Sequence, residues 1–299
     1  MSRRLAVNIF VLGLSPKCGK TLIASALVKG LLDRSIRTGF IKPLSLVDTY
    51  IDLVAINRSA DLGYPVSTEA VQLSEINPNL DYDLVNPVVL VSAPPRLDVF
   101  LERRTPSTYF AYVNNPFKRV VLVKTVFPRS IGARIGYLYE WLLARKLVYA
   151  DEGILQEITR NIHRVLKINI HVDVESFLRN VMARAIMEVY EKLTKKQRVI
   201  IIEGFSEKAW PLPFPLKPDI VLVVAEGSVL MFNGDRYATA VAVKGSYSDM
   251  STLRTRDLIS LLNPNRIFHT PPLSPLELVE SRVEKLSELI SAVVDFIEA

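Results

Sequence analysis

The chain holds a single cysteine, Cys18, among 299 residues. This excludes a disulfide within the chain and fits a reducing, cytoplasmic setting. Histidine is almost as scarce. The three present, His163, His171 and His269, stand at no metal-ligand spacing, so a zinc site of the familiar kinds is not expected. No apolar stretch approaches the roughly 20 residues that a membrane-crossing helix needs. There is no internal repeat or low-complexity tract, no G-x-S-x-G, and no Ser/His/Asp pattern that suggests a nucleophilic hydrolase. Neither sign of charge dominates: 37 Lys and Arg against 31 Asp and Glu leave a net +6, compatible with polyanion binding but equally with scattered surface charge. The basic start, Met1-Ser2-Arg3-Arg4, leads into an apolar run that a later motif needs, so no removable signal is expected. At 49% hydrophobic and 23% charged, the composition is that of a soluble globular protein able to bury a sizeable core, as one large domain or two small ones.

What is present begins near the N-terminus. The run Leu5 to Leu12 has the length and the Val/Ile/Phe content of a buried strand. Beyond the next segment, Leu22, Ile23, Ala26, Leu27, Gly30 and Leu31 recur at helical spacing. Between them lies Gly13-Leu14-Ser15-Pro16-Lys17-Cys18-Gly19-Lys20-Thr21, a GxxxxxGKT loop one residue longer than the usual phosphate-binding form. Its backbone N–H groups, the Lys20 ammonium and the Thr21 hydroxyl suit a nucleoside triphosphate and its Mg²⁺. Residues 13, 15–21 and Leu22 are the expected nucleotide contacts. Cys18 has two readings, a reactive thiol at a helix N-terminus or a small apolar loop residue.

Further along, Thr38–Ile41 reads as a strand parallel to the first, ending at Lys42-Pro43, with a helix expected at about 49–59. Residues 60–98 look like loops and short helices. Tyr109–Val113 and Phe117–Thr125, flanking Asn114-Asn115-Pro116, suggest a hairpin, and helices are expected at about 131–147 and 152–166. The stretch 99–172 reads as a helix-rich insertion. Its Arg103, Arg104, Lys118, Arg119, Lys124, Arg129 and Arg134 form either an anion or partner surface or an ordinary solvated face.

An amphipathic helix at 173–195 delivers the chain into Val199-Ile200-Ile201-Ile202-Glu203-Gly204. A continuous β-branched run suits a central parallel strand, and its terminal acid sits where α/β folds place their sites. Glu203 is therefore a candidate to reach Mg²⁺, or else an ordinary strand-end acid. A further strand at 219–225 is followed by Val229–Phe232, Asn233-Gly234 and Asp235–Val243, which read as a late hairpin. A helix at about 251–262, a short strand ending at His269 and a closing helix at about 275–298 complete an α/β pattern.

With these motifs placed, the chain resembles dethiobiotin synthetase and its wider group of P-loop ATPases, which includes cobyrinate amidases and partition-type ATPases. The matching segments are the extended loop, Gly39-Phe40-Ile41-Lys42-Pro43, Ile51-Asp52-Leu53-Val54 into a helix, Asn86-Pro87, and Ile202-Glu203-Gly204. They occur in the family's order and cover a little under half the chain. The resemblance implies a P-loop NTPase fold, a mostly parallel sheet flanked by helices, in a single domain over 1–299 that carries the 99–172 insertion. It implies ATP and Mg²⁺ as cofactors and a homodimer. Lys20 would hold the β- and γ-phosphates. Thr21, Asp52 and Glu203 would hold Mg²⁺, and Lys42 would act on the γ-phosphoryl group. Lys20, Lys42 and Glu203 are thus the implied catalytic residues; Asp48, one helical turn before Asp52, is an alternative ligand.

The departures concern the substrate. Phe205-Ser206-Glu207-Lys208 replaces a small glycine-rich loop, and Leu44 to Val47 replace polar residues expected after Lys-Pro. Lys17 stands where the family has an acid, and poorly matches the signature lysine of partition-type members. The asparagine beside adenine corresponds to Val243 or Lys244 on a late strand. His269 lies where a purine can stack, or is a structural strand-end histidine. The expected activity is that of a Mg²⁺-dependent ATPase or ATP-using ligase with an unidentified small-molecule or protein client. The alternatives are a nucleotide-gated module acting on a protein or nucleic acid, and a true dethiobiotin synthetase.

Overall fold

The structure, a computed structural model, describes residues 6–77, 80–246 and 253–299. Its strands are β1 (Val7–Gly13), β2 (Thr38–Ile41), β3 (Leu44–Asp48), β4 (Val88–Ser92), β5 (Val120–Phe127), β6 (Ala133–Leu138), β7 (Arg164–Lys167), β8 (Val199–Glu203), β9 (Ile220–Ala225), β10 (Ser228–Asn233) and β11 (Arg266–His269). They form two mixed sheets in an α/β arrangement, and the chain divides into two compact units. One consists of Met1–Pro43, Ile76–Asn79 and Tyr190–Ala299, the other of Leu44–Glu75 and Leu80–Val189. The segment 99–172 falls wholly within the second unit, which is wider at both ends.

The first unit carries the sheet β11-β10-β9-β1-β8-β2. β2, β8, β1 and β9 run parallel, and β10 and β11 are added antiparallel to their neighbours. Ile9 to Leu12 and Val199 to Ile202 are buried, because a parallel strand covered on both faces needs apolar side chains in both directions. Helix α1 (Lys20–Leu32) follows β1. Gly30 lets it approach the helix Ser287–Glu298, since a Cβ there would lie 2.8 Å from Ile290 Cδ1. That last helix buries Leu289, Ile290, Val293 and Ile297 along one stripe, each contributing roughly 1.5–3 kcal/mol of apolar burial.

The second unit carries the sheet β3-β4-β5-β6-β7, in which β3–β4 and β6–β7 are parallel and the two central pairings antiparallel. Here the observed elements depart most from expectation. β3 lies where no element is expected, β4 lies in the stretch 60–98 that reads as loops and short helices, and helix α2 (Leu53–Leu62) starts later than expected because Thr49–Asp52 form the turn out of β3. Tyr109–Val113 lies in the helix Pro106–Asn114, opened by Pro106 in its first turn, so no hairpin forms around Asn114-Asn115-Pro116. β5 pairs instead with β6, inside the stretch expected to be one helix at 131–147, of which only Glu140–Ala144 is helical. The expected 152–166 helix is Glu152–Glu157, followed by the edge strand β7.

The late hairpin also moves. Its turn is Glu226-Gly227, with Gly227 at φ +76°, between β9 and β10. Asn233 has φ −65° and its side chain accepts from Arg236 N at 3.1 Å, capping the helix Gly234–Gly245. Asn-Gly here starts a helix rather than turning a hairpin. Val243 and Lys244 are consequently helical, which removes the late-strand position expected beside a purine. Of the helix expected at about 251–262, positions 251–252 lie outside the described residues, and the helix seen is Arg256–Ile259. The closing helix is broken into Val279–Lys285 and Ser287–Glu298. No helix among the described residues is long and apolar enough to cross a membrane.

Candidate functional site

β1 is central in its sheet, with β8 and β9 on its two sides, and it ends at Gly13. Leu14 N donates to Val224 O at 3.0 Å, anchoring the loop to the end of β9. The loop then turns through Lys17 (φ +60°) and Gly19 (φ +93°), the latter sitting at the N-cap of α1. Pro16 and Lys17 are exposed, Ser15, Gly19, Thr21 and Leu22 half-buried, and Cys18 and Lys20 buried. The first amides of α1 have no partner within the helix and lie at its positive dipole end. Its first turn holds no acidic residue, so no carboxylate of its own competes for an anion there.

Lys20 folds back toward the strand. A Cβ on Gly13 would stand 2.7 Å from both Lys20 Nζ and Cys18 Sγ, so both side chains lie over the glycine. Lys20 Nζ and Cys18 Sγ are 3.9 Å apart. The loop sequence thus places a glycine where a lysine and a cysteine both need the space of a side chain.

The second half of the site comes from β8 and β2. Because β1, β8 and β2 are parallel, their C-terminal ends lie along one edge of the sheet, where α/β sites form. Ile202 is paired with Ile41, which sets Glu203 beside Lys42, and Val11 is in register with Glu203. The Glu203 side chain is 1% exposed. Its Oε1 accepts from Thr21 Oγ1 at 2.9 Å and from Lys42 Nζ at 2.9 Å. Its Oε2 is buried without a hydrogen-bond partner. A carboxylate removed from water is costly unless its charge is balanced, and Lys42 supplies that balance.

These residues fit a divalent cation by their chemistry. An unsatisfied buried carboxylate oxygen and an adjacent hydroxyl are hard oxygen donors of the kind Mg²⁺ takes. Among the described residues no group of three or more His, Cys, Asp or Glu converges on one point. A cation here would therefore draw most of its ligands from phosphate and water, as Mg²⁺ at nucleotide sites does.

Of the sequence-derived site residues, Lys20, Thr21, Lys42 and Glu203 are brought together in the first unit. Asp52 lies in the second, at the start of α2, where its Oδ2 accepts from Asp48 N at 2.7 Å. Asp48 is 5% exposed and fully engaged: Tyr50 N and Ser92 Oγ donate to it, and Arg119 forms an ion pair with it. Asn86 is buried in the same unit, accepting from Ser67 Oγ at 2.7 Å and donating to Ser45 Oγ at 3.0 Å. Of the seven basic residues singled out in the 99–172 segment, Arg103, Arg104, Lys118 and Arg129 are exposed, and the other three pair with acids. Lys124 and Arg134 both pair with Asp83, at 3.1 and 2.7 Å, and Arg119 pairs with Asp48. His269 ends β11, exposed and in register with Ser228.

One contributor carries no signal in the sequence. The loop after Glu203 passes Gly204, where a Cβ would meet Leu12 Cδ2 at 2.8 Å, and Ser206 at φ +51°. It is held on its far side by the segment around Thr255, which is fully buried. Thr255 N donates to Glu207 O at 2.8 Å, Ala209 N donates to Leu253 O at 3.0 Å, and Arg254 stands 3.6 Å from Glu207. Thr255 and Glu207 are 48 residues apart, and only the folded chain brings them together.

Compared with known proteins, the chain matches no protein-family model, and no curated protein sequence matches it.

Proposed function

We propose that this chain is a Mg²⁺-dependent, ATP-binding P-loop protein of the dethiobiotin-synthetase-like class that hydrolyses or transfers the γ-phosphoryl group. The observation that carries this reading is the convergence of Thr21 and Lys42 on one oxygen of the buried Glu203, whose other oxygen is unsatisfied, beside a glycine-lysine-threonine loop at a helix N-terminus.

In this reading the amides of residues 15–21 and the Lys20 ammonium bind the β- and γ-phosphates. Thr21 and Glu203 hold the cation, which when bound neutralises charge on the phosphate oxygens. Lys42 stabilises the charge that develops on the transferring group. Phe205 to Lys208, clamped through Thr255, border the place of the acceptor. The bulk of Phe205 argues against diaminopelargonate as that acceptor. For a module acting on nucleic acid, Arg119, Lys124 and Arg134 are already paired with internal acids, which leaves Arg103, Arg104, Lys118 and Arg129 as its exposed cations.

Calorimetric titration with Mg·ATP tests the reading. Wild-type protein should bind, Lys20→Ala should not, and Glu203→Gln should retain binding while hydrolysis slows. No binding by the wild type at millimolar Mg·ATP would overturn it.

A further inference from the structure

Lys42 and Glu203 carry a second relationship, which rests on the reading just given. One carboxylate oxygen, Oε1, accepts both the Lys42 ammonium and the Thr21 hydroxyl at 2.9 Å. Both partners of the ion pair are largely withdrawn from water, with side-chain exposures of 9% for Lys42 and 1% for Glu203. The same carboxylate and hydroxyl are the protein's donors to a cation. Lys42 therefore supplies the positive charge that the cation would supply, on the same group.

We infer that Lys42 is a built-in counter-cation that latches the metal site, and that a divalent cation entering at Thr21 and Glu203 releases it. A divalent cation on this buried carboxylate repels the ammonium already paired with it, because like charges a few ångströms apart interact strongly where water does not screen them. On release, the ammonium gives up the Glu203 oxygen, and a triphosphate on the adjacent loop offers an anion in its place. The lysine thus moves its charge from the protein's acid to the nucleotide only when cation and nucleotide arrive together. A cation without nucleotide has to displace Lys42 from Glu203 with no phosphate to receive it, so it binds weakly. Metal-free nucleotide leaves the latch closed.

The probe is Mn²⁺ without nucleotide, followed by electron paramagnetic resonance of the free ion. Lys42→Met should bind Mn²⁺ at least about tenfold more tightly than wild type, a gain of about 1.4 kcal/mol. Its melting temperature should fall without Mn²⁺, because Glu203 is left uncompensated, and recover as Mn²⁺ is added. The double variant Lys42→Met/Glu203→Gln should recover stability and lose the Mn²⁺ response. An equal or weaker Mn²⁺ affinity in folded Lys42→Met overturns the latch.

A wild-type measurement decides the matter if Lys42→Met does not fold. Amine modification read by mass spectrometry should show Lys42 protected in the free protein and modified faster in saturating Mn²⁺, against the fully buried Lys124 as an unchanging reference. An unaltered Lys42 rate overturns the inference. Mg·ATP binding by wild type alongside such a result leaves the nucleotide reading standing. Absence of Mg·ATP binding overturns that reading, while a Lys42-dependent Mn²⁺ site stands without it.

Discussion

The Thr21 hydroxyl donates to Glu203 Oε1 at 2.9 Å, joining the first turn of α1 to the end of β8 across 182 residues of sequence. The bond links the Gly19-Lys20-Thr21 loop to the acid, so under the proposed function losing it acts on both stability and activity. Thr21→Val keeps the shape and removes the donor. A hydrogen bond to a charged group contributes about 1.5–3 kcal/mol; denaturant unfolding should show a loss of that order, and Mg·ATP turnover should fall to background. Thr21→Ser should restore both.

Gly13→Ala separates binding from folding. Its Cβ would stand 2.7 Å from Lys20 Nζ and Cys18 Sγ, which are side-chain and not backbone atoms. Those atoms can move at small cost to the fold, but Lys20 then loses its seat. The melting temperature should change little, while calorimetry should show Mg·ATP affinity lowered about tenfold or more, which is about 1.4 kcal/mol. A large drop in melting temperature would contradict this account.

Gly234→Ala should do the reverse. Alanine is the better helix former by up to about 1 kcal/mol, but its Cβ would lie 1.9 Å from the Pro218 carbonyl oxygen, a backbone atom with little room to yield. Overpacking of this kind costs about 1–3 kcal/mol or more, so the clash wins and the protein should be measurably destabilised. Asn233→Ala, which removes only the cap on Arg236 N, should cost about 1 kcal/mol.

The pH dependence of stability should reveal Lys124. Burial pushes its ammonium below the ordinary 10.5, with Asp83 acting in the opposite direction. Between the lowered folded value and 10.5 the unfolded chain binds more protons, so this group makes stability rise with pH across that window. Lys124→Met leaves Asp83 paired with Arg134 at 2.7 Å and should abolish that slope. Urea unfolding of the two proteins from pH 8 to 10.5 compares them directly, and parallel curves would refute the assignment.

The residues that read correctly did so because their signals are local. β1, β2, β8 and β9 are short, largely apolar and largely buried runs, and α1 follows a loop whose Gly19 turns at φ +93° into the helix. The misreadings share a cause as well. Tyr109–Val113 is apolar and short, and such a run fits a helix turn or a strand equally until its neighbours are known. Ala133–Leu138 became a strand because β5 offered it an edge, against its helical spacing. Asn233-Gly234 looked like a hairpin turn, yet Asn233 is a cap and Gly234 yields to Pro218.

By itself the sequence determined the loop at 13–21, the acid at the end of β8 and the lysine after β2, since each is set by its own few residues and the strand that ends in it. Only the tertiary structure decided that Lys42 and Thr21 share one oxygen of Glu203, that Asp48 is taken by Arg119, and that Thr255 holds the loop beyond the acid. Those are contacts between residues tens to hundreds apart. No local pattern encodes them, because their free energy exists only once the chain has paid the entropy of closing those loops.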